Sequence, residues 1–105
     1  QIEASEQCRE NIVYFTRYYE AATQGDYEGQ RMMVVAFGDR MDGILYNPTL
    51  ACAWSHVLIE AGHLQATKTD LKNHKSICGE LDHDAELMAL KQSQRMMRIL
   101  ASGND

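Results

Sequence analysis

Ala21-Ala22-Thr23-Gln24-Gly25-Asp26 and Ile59-Glu60-Ala61-Gly62-His63 are two closings of one kind, each an apolar, helix-forming run stopped by a glycine. The two glycines lie 37 residues apart. A period of that size marks stacked helical hairpins, in which each unit buries its apolar face only against a neighbour. The repeated phrase points to an all-α chain, and arrays of this kind usually bind rather than catalyse.

Upstream of Gly25, apolar side chains recur at Cys8, Ile12, Phe15, Tyr19 and Ala22, a helical spacing that places them on one face. The first helix is expected over 5–23, with Ser5 as its cap and Gln24-Gly25-Asp26 as its stop. A second over 27–37 buries Met32, Met33, Ala36 and Phe37, completing a hairpin over 5–37. Glycines bracket the charged stretch Asp39-Arg40-Met41-Asp42, so Gly38 to Tyr46 reads as a loop. Asn47-Pro48 then starts a third helix, asparagine at the cap and proline where its missing N–H costs nothing. That helix runs to Ala61. Thr67-Lys68-Thr69-Asp70 opens a fourth that reaches Cys78, giving a second hairpin over 47–78. Asp82 caps a fifth over 82–101, with Asp84 and Glu86 in its first turn and Arg95 and Arg98 in its last, both opposing the helix dipole. No stretch alternates as a half-buried strand does. The expected architecture is a short α/α solenoid of two helical hairpins plus a C-terminal capping helix, one domain over 1–105.

Composition narrows the function. Apolar residues make up 45% of the 105, enough for a core, and the net charge is −5. Residues 1–30 carry six acids against Arg9 and Arg17, so the acidic end is the amino-terminal one. With no basic stripe a nucleic-acid role is excluded, while a basic protein partner is steered favourably. A solvated acidic face is the plainer reading. The longest apolar run, Met32 to Phe37, falls far short of the roughly 20 residues of a membrane span. A start at Gln1 fits removal of a secretory signal or trimming of the chain, and three cysteines tilt towards a periplasmic or secreted location over a cytoplasmic one.

Gly43-Ile44-Leu45-Tyr46-Asn47-Pro48-Thr49-Leu50-Ala51-Cys52-Ala53-Trp54, followed by Gly62, resembles the Sel-like repeat, a short relative of the tetratricopeptide repeat. Gly43, Ile44, Asn47, Ala51, Trp54 and Gly62 fall on matching positions. An earlier copy ends in Tyr18, Ala21, Ala22, Gln24, Gly25, Asp26, Glu28 and Gln30, with Met33 and Phe37 where the pattern has Leu and Tyr. The chain departs from the pattern at Gly29 and Val34 and at Leu58 with Ile59, the family's small positions, and the larger of these residues, Val34, Leu58 and Ile59, suggest a stack that does not continue. Leu81 to Glu86 resembles the helix that closes such arrays. The resemblance implies a protein-binding module whose first helix in each hairpin lines the concave face. Family members serve as adaptors, and some small exported ones look like immunity proteins that neutralise a toxin.

The candidate binding residues follow. Tyr14, Arg17 and Tyr18 form a ridge opposite Ile12 and Phe15, and His56 and Glu60 extend it on the third helix; covering the core is the plain alternative for the tyrosines. Met88 and Met97 lie in the apolar excess of the last helix, suited to an adaptable surface or to core filling. Cys52 and Cys78 sit level in an antiparallel hairpin turning near residue 65, so a disulfide there is expected, worth about 3 kcal/mol. Two buried thiols, or a bond from Cys8 to Cys78, are the alternatives. His56, His63, His74 and His83 complete no fixed-spacing metal set and are expected on the surface, with no metal and no cofactor. No HExxH, GxSxG or phosphate-cradling glycine loop is present, so no catalysis is expected. The first reading is an exported immunity or inhibitor protein that binds a basic effector or toxin. The second is an adaptor or self-associating subunit, a homodimer included, and the third a small enzyme or ligand carrier.

Overall fold

Local hydrogen bonds set most of the helix starts in this chain. The structure, a computed structural model, describes the backbone of residues 2–103 and the side chains of residues 6–101. Five helices follow one another: α1 (Ile2–Thr23), α2 (Tyr27–Gly38), α3 (Pro48–Glu60), α4 (Lys68–Gly79) and α5 (His83–Gly103). Among the described residues there is no strand. Asp26 accepts from the Gly29 N–H at 2.8 Å and Asn47 from the Leu50 N–H at 3.0 Å, each satisfying a donor that the first helical turn leaves unpaired. Thr67 and Asp70 form a reciprocal capping box at α4, and Asp82 accepts from the Ala85 N–H at 2.8 Å at the start of α5. Gly25 and Gly62 have φ of 93° and 69°, and a Cβ at either would meet nothing within 4 Å. What the repeated phrase requires is therefore the left-handed conformation, not space.

Two helix ends differ from expectation. α1 begins at Ile2, so Ser5 lies within the helix and not at its cap; its side chain and all of Gln1 lie outside the described residues. α5 continues to Gly103, which leaves Arg95 and Arg98 short of the last turn and weakens their complement to the dipole.

α1 and α2 form one hairpin, α3 and α4 a second, and α5 packs on α3, which also packs on α2. A Cβ at Gly29 would lie 2.4 Å from the Ala22 nitrogen and 2.7 Å from the Tyr18 oxygen, so α2 approaches the α1 backbone through the missing side chain. That crossing turns α1. Phe15, Tyr18 and Ala22 pack into the core with Met33, Val34, Trp54 and Val57, while Ile12 and Tyr19, expected inside, remain 44% and 45% exposed. Val34 and Leu58, the bulky departures from the repeat pattern, are buried within the stack. Ala53 of α3 and Ala89 of α5 are wholly buried, joining a second cluster with Cys52 and Cys78. No helix among the described residues is long and apolar enough to cross a membrane.

A buried polar network ties the hairpins together. Tyr27 Oη donates to Asp70 Oδ2 at 2.6 Å, the same carboxylate that caps α4, and Arg31 Nε lies 3.8 Å from Oδ1. The imidazole of His63 meets the Tyr27 ring edge-on at 5.4 Å and bonds Gln30 Oε1 at 2.8 Å. Gln30 Nε2 in turn reaches the Ala22 carbonyl at 3.3 Å. The hydrogen bond to Asp70, then burial and the Asp70 charge, raise the Tyr27 phenol above its ordinary 10.0.

Candidate functional site

Helices α1, α2, α3 and α5 enclose an apolar groove of roughly 200 Å³, with Phe37 the contribution of α2. Trp54 and Leu50 come from α3, Tyr19 from α1, and Met96, Ile99 and Leu100 from α5. The arrangement follows from the turn of α1: with Tyr18 drawn into the core, its neighbour Tyr19 stands at the groove edge, stacked on Phe15 at 6.0 Å between ring centroids. Ile99 opposite is 61% exposed. Small-molecule sites run to about 300–1,000 Å³, so a groove of this size suits one or two apolar side chains of a partner.

The residues singled out in the sequence fall into two groups. Tyr14 and Tyr18 line a recess of about 220 Å³ between α1 and α2 with Met32 and Met41. Tyr14 is 56% exposed, Tyr18 half-buried against the core, and Arg17 lies beside Tyr14 on the outer face of α1 with Arg9 and Val13. His56, Glu60 and Met97 share a different groove, about 440 Å³ between α3 and α5, with Leu90 and Arg98. The two groups line separate grooves. Met88 lies on the exposed side of α5, with Leu87 and Leu90. Tyr19, Trp54 and Ile99 are the groove residues that the sequence reading missed; the signal for Tyr19 is Gly29, the small residue that marks where α2 crosses α1.

Under the α3–α4 hairpin lies a compact cluster. Cys52 and His56 project from α3, His74 and Cys78 from α4, and each pair is spaced four residues apart, one helical turn. The two sulfurs are at disulfide distance, 2.06 Å, with Cα atoms 5.1 Å apart, so the expected pairing is the one formed. Cys8 is the free cysteine, half-buried where a Cβ on Gly43 would come within 2.7 Å of its sulfur. The rings of His56 and His74 meet edge to face at 4.4 Å. Ligand atoms of Cys52, His56 and Cys78 lie within 4.8 Å of one another, and His74 Nδ1 is 3.5 Å from Cys78 Sγ.

Surface placement, expected for all four histidines, holds for His83 alone; His56, His63 and His74 are half-buried because each packs against another ring. Burial, reinforced by His56 and opposed by Glu60, lowers the His74 imidazole from its ordinary 6.5. Ser55 Oγ donates to the Cys52 carbonyl at 2.7 Å and therefore accepts from His74 Nδ1–H, also at 2.7 Å. A serine beside a histidine invites comparison with a nucleophile pair. Here the serine is buried and its proton points away from the imidazole, so the pair lacks the geometry of base activation.

Comparison with family models, curated proteins and solved structures finds no match to this chain.

Proposed function

We propose that this chain is a non-catalytic protein-binding module that takes apolar side chains of its partner into the groove between α1, α2, α3 and α5. The exposure of Tyr19 and Ile99 beside the buried Trp54 carries the reading: large apolar groups around a shallow recess are the usual makings of an interface anchor site. The likeness to Sel-like repeats supports it, because the first helix of each hairpin lines the groove, together with Phe37 of α2 and the last helix.

The narrower form is an exported inhibitor or immunity protein acting on a basic effector. Two features support that form. Cys52 and Cys78 at disulfide distance are compatible with an oxidising compartment, and the outer face of α1 carries the exposed Glu6, Glu10 and Glu20 against Arg9 and Arg17, a small acidic excess. The test is capture from an envelope extract of the source organism, followed by mass spectrometry. Wild-type protein retains a basic partner, and Tyr19→Ala with Ile99→Ala weakens retention by about 2 kcal/mol or more, the hot-spot scale, with melting unchanged. Equal retention by the double variant refutes the groove. Leu87, Met88 and Leu90, exposed together on α5, support a second reading as a self-associating subunit. Sedimentation equilibrium at increasing concentration tests it: a mass fixed at 11.9 kDa counts against it.

A further inference from the structure

Cys52, His56, His74 and Cys78 come from two antiparallel helices, with the cysteine and histidine of each helix one turn apart. Two thiols and two imidazoles are the donor set that Zn²⁺ takes in tetrahedral structural sites. Three of the four already converge, since the ligand atoms of Cys52, His56 and Cys78 fall within 4.8 Å of one another. The fourth is adjacent: His74 Nδ1 lies 3.5 Å from Cys78 Sγ, and to ligate it would release its hydrogen bond to Ser55 and carry the ring proton on Nε2. Cys52 is fully buried and Cys78 is 7% exposed, so little water competes for the position between them. A plain disulfide staple explains the two sulfurs and nothing more. It does not explain why both helices carry a histidine at the same register, facing each other at 4.4 Å directly beside the bond.

We propose that the disulfide is the oxidised state of a redox-gated Zn²⁺ site, in which the reduced Cys52 and Cys78 bind the ion with His56 and His74. The chemistry balances with a dithiol as reductant. One of its thiolates attacks a sulfur of the Cys52–Cys78 bond, which breaks and releases the other cysteine as thiolate. The reductant's second thiolate then displaces the protein from the mixed disulfide and leaves as a cyclic disulfide. Two electrons have passed to the protein, and two protons bring both cysteines to thiols. Zn²⁺ binding expels those two protons and joins both sulfurs to the ion. The hairpin is thereby held in either state, by a covalent bond when oxidised and by the metal when reduced. Since His56 also lines the groove between α3 and α5, the metal state alters one wall of that groove.

The full chain, carrying Cys8→Ser to remove the third thiol, is reduced with a phosphine and titrated anaerobically with Co²⁺ as a spectroscopic probe, then with Zn²⁺. Expected are thiolate-to-cobalt charge-transfer absorption and the visible bands of tetrahedral Co²⁺, saturating at a single equivalent and bleached by Zn²⁺. The oxidised protein shows none of these. Cys52→Ser abolishes the charge-transfer band or halves it, and His56→Ala and His74→Ala each weaken Co²⁺ binding at least tenfold, the low end for a lost ligand or its support. Far-ultraviolet circular dichroism is followed alongside. If the reduced chain has lost helix, recovery on adding Zn²⁺ supports the site, and failure to recover overturns it. Absence of cobalt bands in a reduced, helical chain also overturns it, as do bands unchanged in both histidine variants.

Discussion

Replacing Tyr27 by phenylalanine removes one oxygen and tests how the two hairpins are joined. Tyr27 and Asp70 are 7% and 3% exposed, and Tyr27 Oη lies 2.6 Å from Asp70 Oδ2. A hydrogen bond to a charged group contributes about 1.5–3 kcal/mol, and removing the donor leaves the carboxylate buried and less solvated. The loss is partial, because the Thr67 N–H still reaches Oδ2 at 3.0 Å. Arg31 helps little, being 45% exposed and 3.8 Å from Oδ1. The expected cost is therefore about 2 kcal/mol, a shift of the urea midpoint by about 1 M or more at the slopes usual for a domain of this size. The assay is urea unfolding at pH 7 followed by circular dichroism, run also on Asp70→Asn and the double variant. A coupling energy of at least about 1 kcal/mol is expected from the cycle. The pH dependence has a definite sign. The phenol titrates above its ordinary 10.0 in the folded chain, so its stabilisation is complete below pH 10 and is lost as pH rises through the higher folded value. The gap between wild type and Tyr27→Phe should therefore narrow above pH 10. A Tyr27→Phe variant within about 0.3 kcal/mol of wild type, or a coupling energy near zero, refutes the network as the link between hairpins.

Opening the Cys52–Cys78 bond in metal-free buffer should destabilise the chain by about 3 kcal/mol; differential scanning calorimetry with and without reductant measures it, and three free thiols in denatured, unreduced protein contradict the bond. Gly29→Ala drives a methyl group into the α1 backbone and should cost well over 1 kcal/mol in the same urea assay, whereas Gly79→Ala, at an α4 position with nothing within 4 Å, should stabilise by a few tenths to about 1 kcal/mol. Equal effects of the two glycine substitutions contradict the close crossing of α1 and α2.

The helix order was legible because its signals are local. Asn47-Pro48, the Thr67–Asp70 box, Asp82 and the positive-φ Gly25 and Gly62 act within one turn of chain, and each acts as its sequence suggests. Which face of α1 is buried was not, since the expected seam Cys8/Ile12/Phe15/Tyr19/Ala22 and the observed Phe15/Tyr18/Ala22 share two residues and lie less than about 100° of helix apart, and the choice is made by a residue on another helix, Gly29. That one rotation moves Tyr18 inward and Tyr19 outward, and with it the candidate groove. The metal-type cluster was legible in principle. Cys52 and His56, like His74 and Cys78, stand one turn apart in an expected antiparallel hairpin, but the pairing of His56 with His74 runs across the turn, where no fixed spacing along the chain marks it.

The proposed seat for another protein is the groove beside Tyr19. A photoreactive benzophenone amino acid placed at Tyr19 in the source organism, irradiated and analysed by mass spectrometry, tests it directly. A crosslink to a different, basic protein is expected, absent when the same group replaces the exposed Leu64 on the α3–α4 turn. Crosslinks only between two copies of this chain, or none from position 19, contradict it.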